Sequence, residues 1–299
     1  MPCPFCGSSD GFDRAAYANS GAHRHASFDG LELLGCRSCR SAWVETPPSD
    51  VALIDYYSTS YRPGRMAPVQ EDKWPHSDTR VLSLLTLARL FYEVRPGDLF
   101  VDVGPGNGSA LSVAPYLLSA PRRACIEFNA ESIAYFRRHV PDIVVAPDVA
   151  TLAATFGEGS AALIYSAHCY EHFTPVGLAQ HLAEIRRLIR PDGALVVEVP
   201  FAEFGKIAKA DFHTPHLLFF SKEGLAATLR RAGFEPRLCV DVVGRVVSRP
   251  HLDALFKEEP EAKKLQNVFR ALNSGDFIHR DVDPSEAHGF VLKCVATPA

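Results

Sequence analysis

Nowhere does the chain carry a run of about 18 apolar residues, the length that a membrane-crossing helix needs. The start, Met1-Pro2-Cys3, has no basic stretch leading into an apolar segment, so no secretory signal is expected. An excess of positive charge is missing too: 31 Lys and Arg stand against 35 Asp and Glu, for a formal net charge of -4. That balance excludes broad electrostatic capture of nucleic acid or of an anionic membrane as the main activity. These absences predict a cytoplasmic protein with neither a membrane nor a nucleic-acid partner. Apolar residues are plentiful. They make up 47% of the 299 residues, enough for a sizeable core in one large domain or two smaller ones.

Four of the eight cysteines fall in two Cys-x-x-Cys pairs, Cys3 with Cys6 and Cys36 with Cys39. Each pair aims two thiolates at one point, and two pairs supply the tetrahedral sulfur set that zinc prefers. With all four positions filled by protein, no place remains for a catalytic water, so the expected ion is structural. Paired redox cysteines would need a thioredoxin-like strand and helix context, which the sequence lacks. His23 and His25 lie between the pairs as substitute ligands, but the four cysteines suffice. Strand-like Leu31 to Leu34 and Ser41 to Val44 flank the second pair, and the polar rest can hardly form a core without metal. Residues 1–48 are therefore expected to form a small zinc ribbon. Cys125, Cys169, Cys239 and Cys294, scattered through apolar segments, read as small core residues.

After Thr46-Pro47-Pro48 the composition changes. Residues 49–79 read as a linker whose Tyr56, Tyr57 and Tyr61 either cover a bound cofactor or pack the ribbon onto the main domain. Helical spacing of Leu84, Leu87, Ala88 and Phe91 opens that domain, 80–299. The apolar strand from Leu99 then runs into Asp102-Val103-Gly104-Pro105-Gly106-Asn107-Gly108 and the helix from Ser109. Strand, glycine turn and helix are the context in which a backbone presses against a bound nucleotide. The dinucleotide fingerprint Gly-x-Gly-x-x-Gly fails by one residue, because Ser109 stands where it needs glycine or alanine. The next strand ends at Glu127, placed to accept both hydroxyls of a ribose. Asp148 reads either as a helix N-cap or as a partner for an adenine amine, roles that are compatible.

This order of motifs resembles the class I S-adenosylmethionine-dependent methyltransferases. The likeness extends through the apolar strand that leads into His168-Cys169-Tyr170-Glu171-His172 and through the Arg190-Pro191-Asp192-Gly193 turn before the fifth strand. The resemblance implies an α/β architecture: a Rossmann-like, seven-stranded, mostly parallel sheet with helices on both faces, preceded by the ribbon. It also implies a cofactor set of Asp102, Gly104, Pro105, Gly106, Asn107, Gly108, Glu127, Phe128, Asp148, Ser166 and His168. Where such proteins usually have a short hairpin, this chain has a helical insertion at about 245–285, expected to cap the substrate pocket or to form a dimer contact.

Methyl transfer is a direct displacement, so alignment and exclusion of water are the enzyme's main tasks. A hydroxyl acceptor also needs a general base, and histidine suits it. His168, His172, His213 and His216 follow strands four and five, at the edge where an open α/β sheet binds ligands, and one of them is expected to be that base. A four-cysteine ribbon on this core is similar to the deoxysugar C-methyltransferase family. That family's histidine-glutamate-histidine run reads Thr214-Pro215-His216 here, which counts against carbanion chemistry on a ketosugar. The expected acceptor is a small molecule, a hydroxyl of a sugar or natural-product intermediate. RNA or protein methylation and a non-catalytic cofactor-binding adaptor are the alternatives.

Overall fold

A computed structural model describes residues 2–61, 95–118, 121–140, 142–243 and 290–299, together with Val81, Leu84, Leu85, Ala88 and Tyr92. The insertion expected at about 245–285 and most of the segment 62–94 lie outside the described residues. Strands β1 (Phe12–Ala16), β2 (Glu32–Cys36) and β3 (Ala42–Val44) form an antiparallel N-terminal sheet. Helix α1 (Asp50–Asp55) comes next, capped by the Ser49 hydroxyl, and widens into a looser turn over Tyr56–Ser60.

Strands and helices then alternate: β4 (Leu99–Val103), α2 (Ser109–Leu117), β5 (Arg122–Ile126), α3 (Ala130–His139), β6 (Ile143–Ala146), α4 (Val149–Phe156) and β7 (Ala161–Ala167). After them come α5 (Pro175–Leu188), β8 (Ile189–Pro200), α6 (Phe204–Ile207), β9 (Leu218–Phe219), α7 (Lys222–Arg231), β10 (Phe234–Val243) and β11 (Phe290–Pro298). Seven strands make one sheet in the order β10-β11-β8-β7-β4-β5-β6. Pairing is parallel from β8 to β6, and β11 runs against both of its neighbours.

Both faces of this sheet are covered, which is why its strands are apolar almost throughout. Leu99, Val101, Val103, Leu195, Val197 and Val199 face one core with α4, α5 and α7. Phe100, Ala194 and Val196 face a second core, shared with α2, Phe136 of α3, and Leu84, Leu85 and Ala88. Polar side chains cap the helices: Thr174 with Pro175 behind it starts α5, and Ser221 starts α7. Strand β8 begins earlier than the turn Arg190-Pro191-Asp192-Gly193 indicates. Ile189 already pairs with Ala161, and the register shifts before Leu163 meets Ala194, so the turn is looped out of a continuing strand.

The ribbon is not a separate bead. Its edge strand β3 pairs with β9 from the main domain, Ala42 opposite Phe219 and Trp43 opposite Leu218. Phe5 packs edge-on against Trp43 and Phe220, and Ser41 and Ser221 hydroxyls meet at 3.0 Å in the buried seam. Contact there is tight enough that a side-chain carbon on Gly224 would fall 1.9 Å from Ser41 Oγ. Of the four scattered cysteines, Cys125 and Cys294 are fully buried, whereas Cys169 and Cys239 are part-buried. No helix among the described residues is long and apolar enough to cross a membrane.

Candidate active site

The glycine turn occupies the carboxyl end of β4, at the middle of the parallel sheet. Gly104, Gly106 and Gly108 have φ of 67°, 56° and 80°, the left-handed region that a Cβ disfavours. Gly104 is also a close-packing position, since a Cβ there would lie 2.7 Å from Cys169 Sγ. Gly106 is the opposite case. Among the described residues no atom lies within 4 Å of where its Cβ would be, so they leave this face of the turn open to a ligand. Asn107 Oδ1 accepts the Ser109 N–H and hydroxyl at 3.2 and 2.8 Å, fixing the turn to the start of α2.

Acidic groups flank the turn. Asp102 is buried, and burial first, then the Glu127 charge, pushes its carboxyl up to about 8. Glu127, at the end of β5, is likewise raised by burial, and its Oε1 accepts the Asn129 N–H at 2.8 Å. Phe128 beside it is 50% exposed, a large ring facing outward next to the turn. Asp148 caps α4 through the Thr151 N–H at 2.7 Å. Ser166, at the end of β7, is buried with no hydrogen-bond partner for its Oγ among the described residues. An open glycine face, a ring and an orphaned hydroxyl at one strand edge fit a nucleoside with an amino-acid tail, the shape of S-adenosylmethionine.

The histidines divide into distinct environments. His168 adopts a left-handed φ of 52°, and its Nε2 lies 3.0 Å from Glu198 Oε1 while Nδ1 is 3.3 Å from Glu171 Oε1. Glu198 in turn holds the buried Lys293 ammonium on the neighbouring strand. His213 has both ring nitrogens committed to backbone: Nδ1 accepts the Ala18 N–H at 2.7 Å, and Nε2–H donates to the Ile207 carbonyl at 2.8 Å. It braces the ribbon against the main domain and has no nitrogen left for an acceptor.

His172 and His216 face each other with ring centres 5.0 Å apart, and Glu171 joins them. The Leu217 N–H to Glu171 carbonyl bond, 2.8 Å, holds the His216 segment against the end of β7. Burial pulls His172 down to about 3 and also lowers His216, so both imidazoles are neutral near pH 7. For Glu171, burial pushes the pKa up, but the close approach of the His168 ring is foremost among the effects that hold the carboxyl below its ordinary value.

Of the two roles expected for the three tyrosines, packing between ribbon and main domain is what the contacts show. Tyr56 is buried against Phe28 and closes the ribbon core, whereas Tyr57 and Tyr61 reach the His172 ring at 5.5 and 5.7 Å. Glu171, Glu198 and Lys293 received no role from the sequence. The signal was there for two of them, since a lone charge in the apolar strands Leu195-Val-Val-Glu-Val199 and Val291-Leu-Lys-Cys-Val295 needs a partner.

At the ribbon, Cys3 and Cys39 Sγ are 3.7 Å apart, as are Cys6 and Cys36, and all four sulfurs lie within 4.8 Å of one another. Tetrahedral zinc with bonds of about 2.3 Å sets its sulfurs roughly 3.8 Å apart, so the cluster fits a zinc ion. His23 and His25 are elsewhere, against Tyr61 and Tyr56.

Residues 76–238, more than half of the chain, match the family described as a methyltransferase domain. No curated protein matches the sequence. Among solved structures, the chain is similar to the Burkholderia thailandensis 1,6-didemethyltoxoflavin-N1-methyltransferase with bound 1,6-didemethyltoxoflavin and S-adenosylhomocysteine. Identity is 18% and the TM-score 0.52, over 92% of this chain and 98% of that one. The geranyl diphosphate C-methyltransferase from Streptomyces coelicolor A3(2) is similar at 14% identity and a TM-score of 0.44, over 72% of this chain and 78% of that one. The chain belongs to the methyltransferase-domain family, and it is an S-adenosylmethionine-dependent methyltransferase.

Proposed function

We propose that the enzyme methylates a hydroxyl of a small molecule, a sugar or natural-product intermediate, held between the glycine turn and the His172–His216 edge. One observation carries this reading. The open face of Gly106 and the neutral imidazole pair with its buried carboxylate lie at the same carboxyl edge of one sheet, one handling the cofactor and the other the acceptor. When bound, S-adenosylmethionine supplies an electrophilic methyl group on a sulfonium.

The cofactor-binding set is Asp102, the turn Gly104 to Gly108, Glu127, Phe128, Asp148, Ser166 and the His168 backbone. Glu127 takes the ribose hydroxyls, Phe128 lies against the adenine face, and Ser166 Oγ gains a partner in the cofactor's tail. Tyr57 and Tyr61 exclude water from the acceptor side, which favours a displacement in which charge is neutralised. The His172–His216 pair handles the acceptor's proton, because His213 is committed to backbone and His168 is directed at carboxylates on both sides. The four ribbon cysteines hold a structural zinc, a thiolate set that a reducing cytoplasm preserves.

The test is an assay of S-adenosylhomocysteine release with hydroxylated sugars and aromatic natural products as acceptors, and RNA alongside. Acceptor-dependent release with a small molecule, lost in His216→Ala, is expected. Release with RNA alone would sink the small-molecule reading.

A further inference from the structure

Glu171 has an unusual environment for an ionised side chain. The residue is 1% exposed, and neither carboxylate oxygen makes a hydrogen bond among the described residues. The His168 Nδ1 atom, 3.3 Å from Oε1, is not placed to make one. A buried carboxylate without hydrogen bonds costs several kcal/mol unless a counter-charge arrives. Beside it are two imidazoles, and the three side chains offer ligand atoms within 4.8 Å of one another.

We propose that Glu171, His172 and His216 form a second metal site, separate from the ribbon, for a divalent transition-metal cation such as Mn2+, Co2+ or Zn2+. Bonds of about 2.1 Å need donor atoms no more than roughly 4.2 Å apart, so small side-chain rotations close the set on one ion. Two nitrogens and one carboxylate suit this class of cation and leave coordination positions open. Tyr57 completes the arrangement. Its hydroxyl donates to the Pro215 carbonyl at 3.4 Å and so accepts from His172 Nδ1, 2.9 Å away, which leaves Nε2 with the lone pair. Metal-binding histidines are typically oriented by such an outer partner.

The site rests on the reading of this edge as the acceptor side and sharpens it: the histidine pair handles the proton through a cation instead of taking it directly. An acceptor hydroxyl that binds the metal is acidified and passes its proton to the metal-bound hydroxide it displaces, which leaves as water before methyl transfer. Its oxygen then bonds to the methyl carbon as the carbon–sulfur bond breaks, with the electron pair staying on sulfur. The products are the methyl ether and S-adenosylhomocysteine.

The test is a Co2+ titration of the metal-stripped, reduced full-length protein, followed by absorption. Wild type is expected to take one equivalent with the intense near-ultraviolet thiolate band and a second that adds only weak visible bands. Glu171→Gln and the less buried His216→Ala should lose the second equivalent or bind it at least tenfold more weakly. Both should keep the thiolate band, which reports an intact ribbon. The proposal is overturned if wild type shows no equivalent beyond the thiolate one, or if both variants bind the second with undiminished affinity. Titration of the same samples with S-adenosylmethionine separates the two ideas, since loss of cofactor binding would count against the functional reading and not against the metal site.

Discussion

His181 on α5 is packed between Tyr170 and Phe173, ring centres 5.6 and 5.0 Å away, and its Nε2 has no partner among the described residues. Burial pulls its pKa down to about 4, and His172 shows the same effect, down to about 3. The unfolded chain binds these protons near pH 6.5 and the folded chain does not, so stability is full above that pH and falls as pH drops towards 4. His181→Leu removes both the unpaired nitrogen and the proton site. We expect it to raise stability at pH 5 by about 1–2 kcal/mol, with a smaller gain at pH 7.5, as read from urea midpoints. An equal shift at both pH values would contradict the assignment. At this scale the sequence was informative where a residue type answers a backbone need: Gly104 and Gly106 at positive φ, and Asp148 at a helix start. It offered His213 only as a candidate base, because its two backbone partners, Ala18 far back in the ribbon and Ile207 in the short helix before it, come together only in the fold.

Strands β8 and β11, third and second from the β10 edge of the sheet, place Glu198 opposite Lys293, both almost fully buried. Removing one member of a buried pair leaves an uncompensated charge. Lys293→Met should therefore destabilise the chain by about 3–5 kcal/mol in chemical denaturation. A change under about 1 kcal/mol would mean that His168 alone satisfies Glu198. No reading of either strand alone could have found this pair. The two residues are far apart in the chain, and the register that sets them opposite each other exists only in the folded sheet. Helix starts were readable where their signals are local, as at Ser109 behind the glycine turn and at Asp148. β1 was not, since Phe12-Asp-Arg-Ala-Ala16 alternates weakly and is a strand chiefly because β2 pairs with it. The start of β8 was missed for a similar reason, as proline and glycine in a looped-out turn read like the end of a connection.

Across the whole molecule, ribbon and main domain share a strand pairing, a hydroxyl pair and the Arg231 to Cys3 carbonyl bond at 3.2 Å. Loss of the cysteine cluster should therefore be felt by the entire chain. In a Trp74→Phe background, where fluorescence reports Trp43 alone, Cys39→Ser is expected to lower one common melting transition by about 5 °C or more, on the order of 2 kcal/mol, when fluorescence and far-ultraviolet dichroism are tracked together. Separate transitions would show that the ribbon is energetically independent. The seven-stranded, mostly parallel sheet, by contrast, was expected from the resemblance that the succession of motifs carries, and such alternation of strands and helices favours parallel pairing with right-handed crossovers. The most direct test of the account is calorimetric titration of the purified enzyme with S-adenosylmethionine, with NAD in parallel and Glu127→Ala as the control. Saturable binding near the micromolar range, about -8 kcal/mol, no NAD binding, and at least a tenfold loss, about 1.4 kcal/mol, in the variant are expected. Absence of S-adenosylmethionine binding, or equal binding by Glu127→Ala, would contradict it.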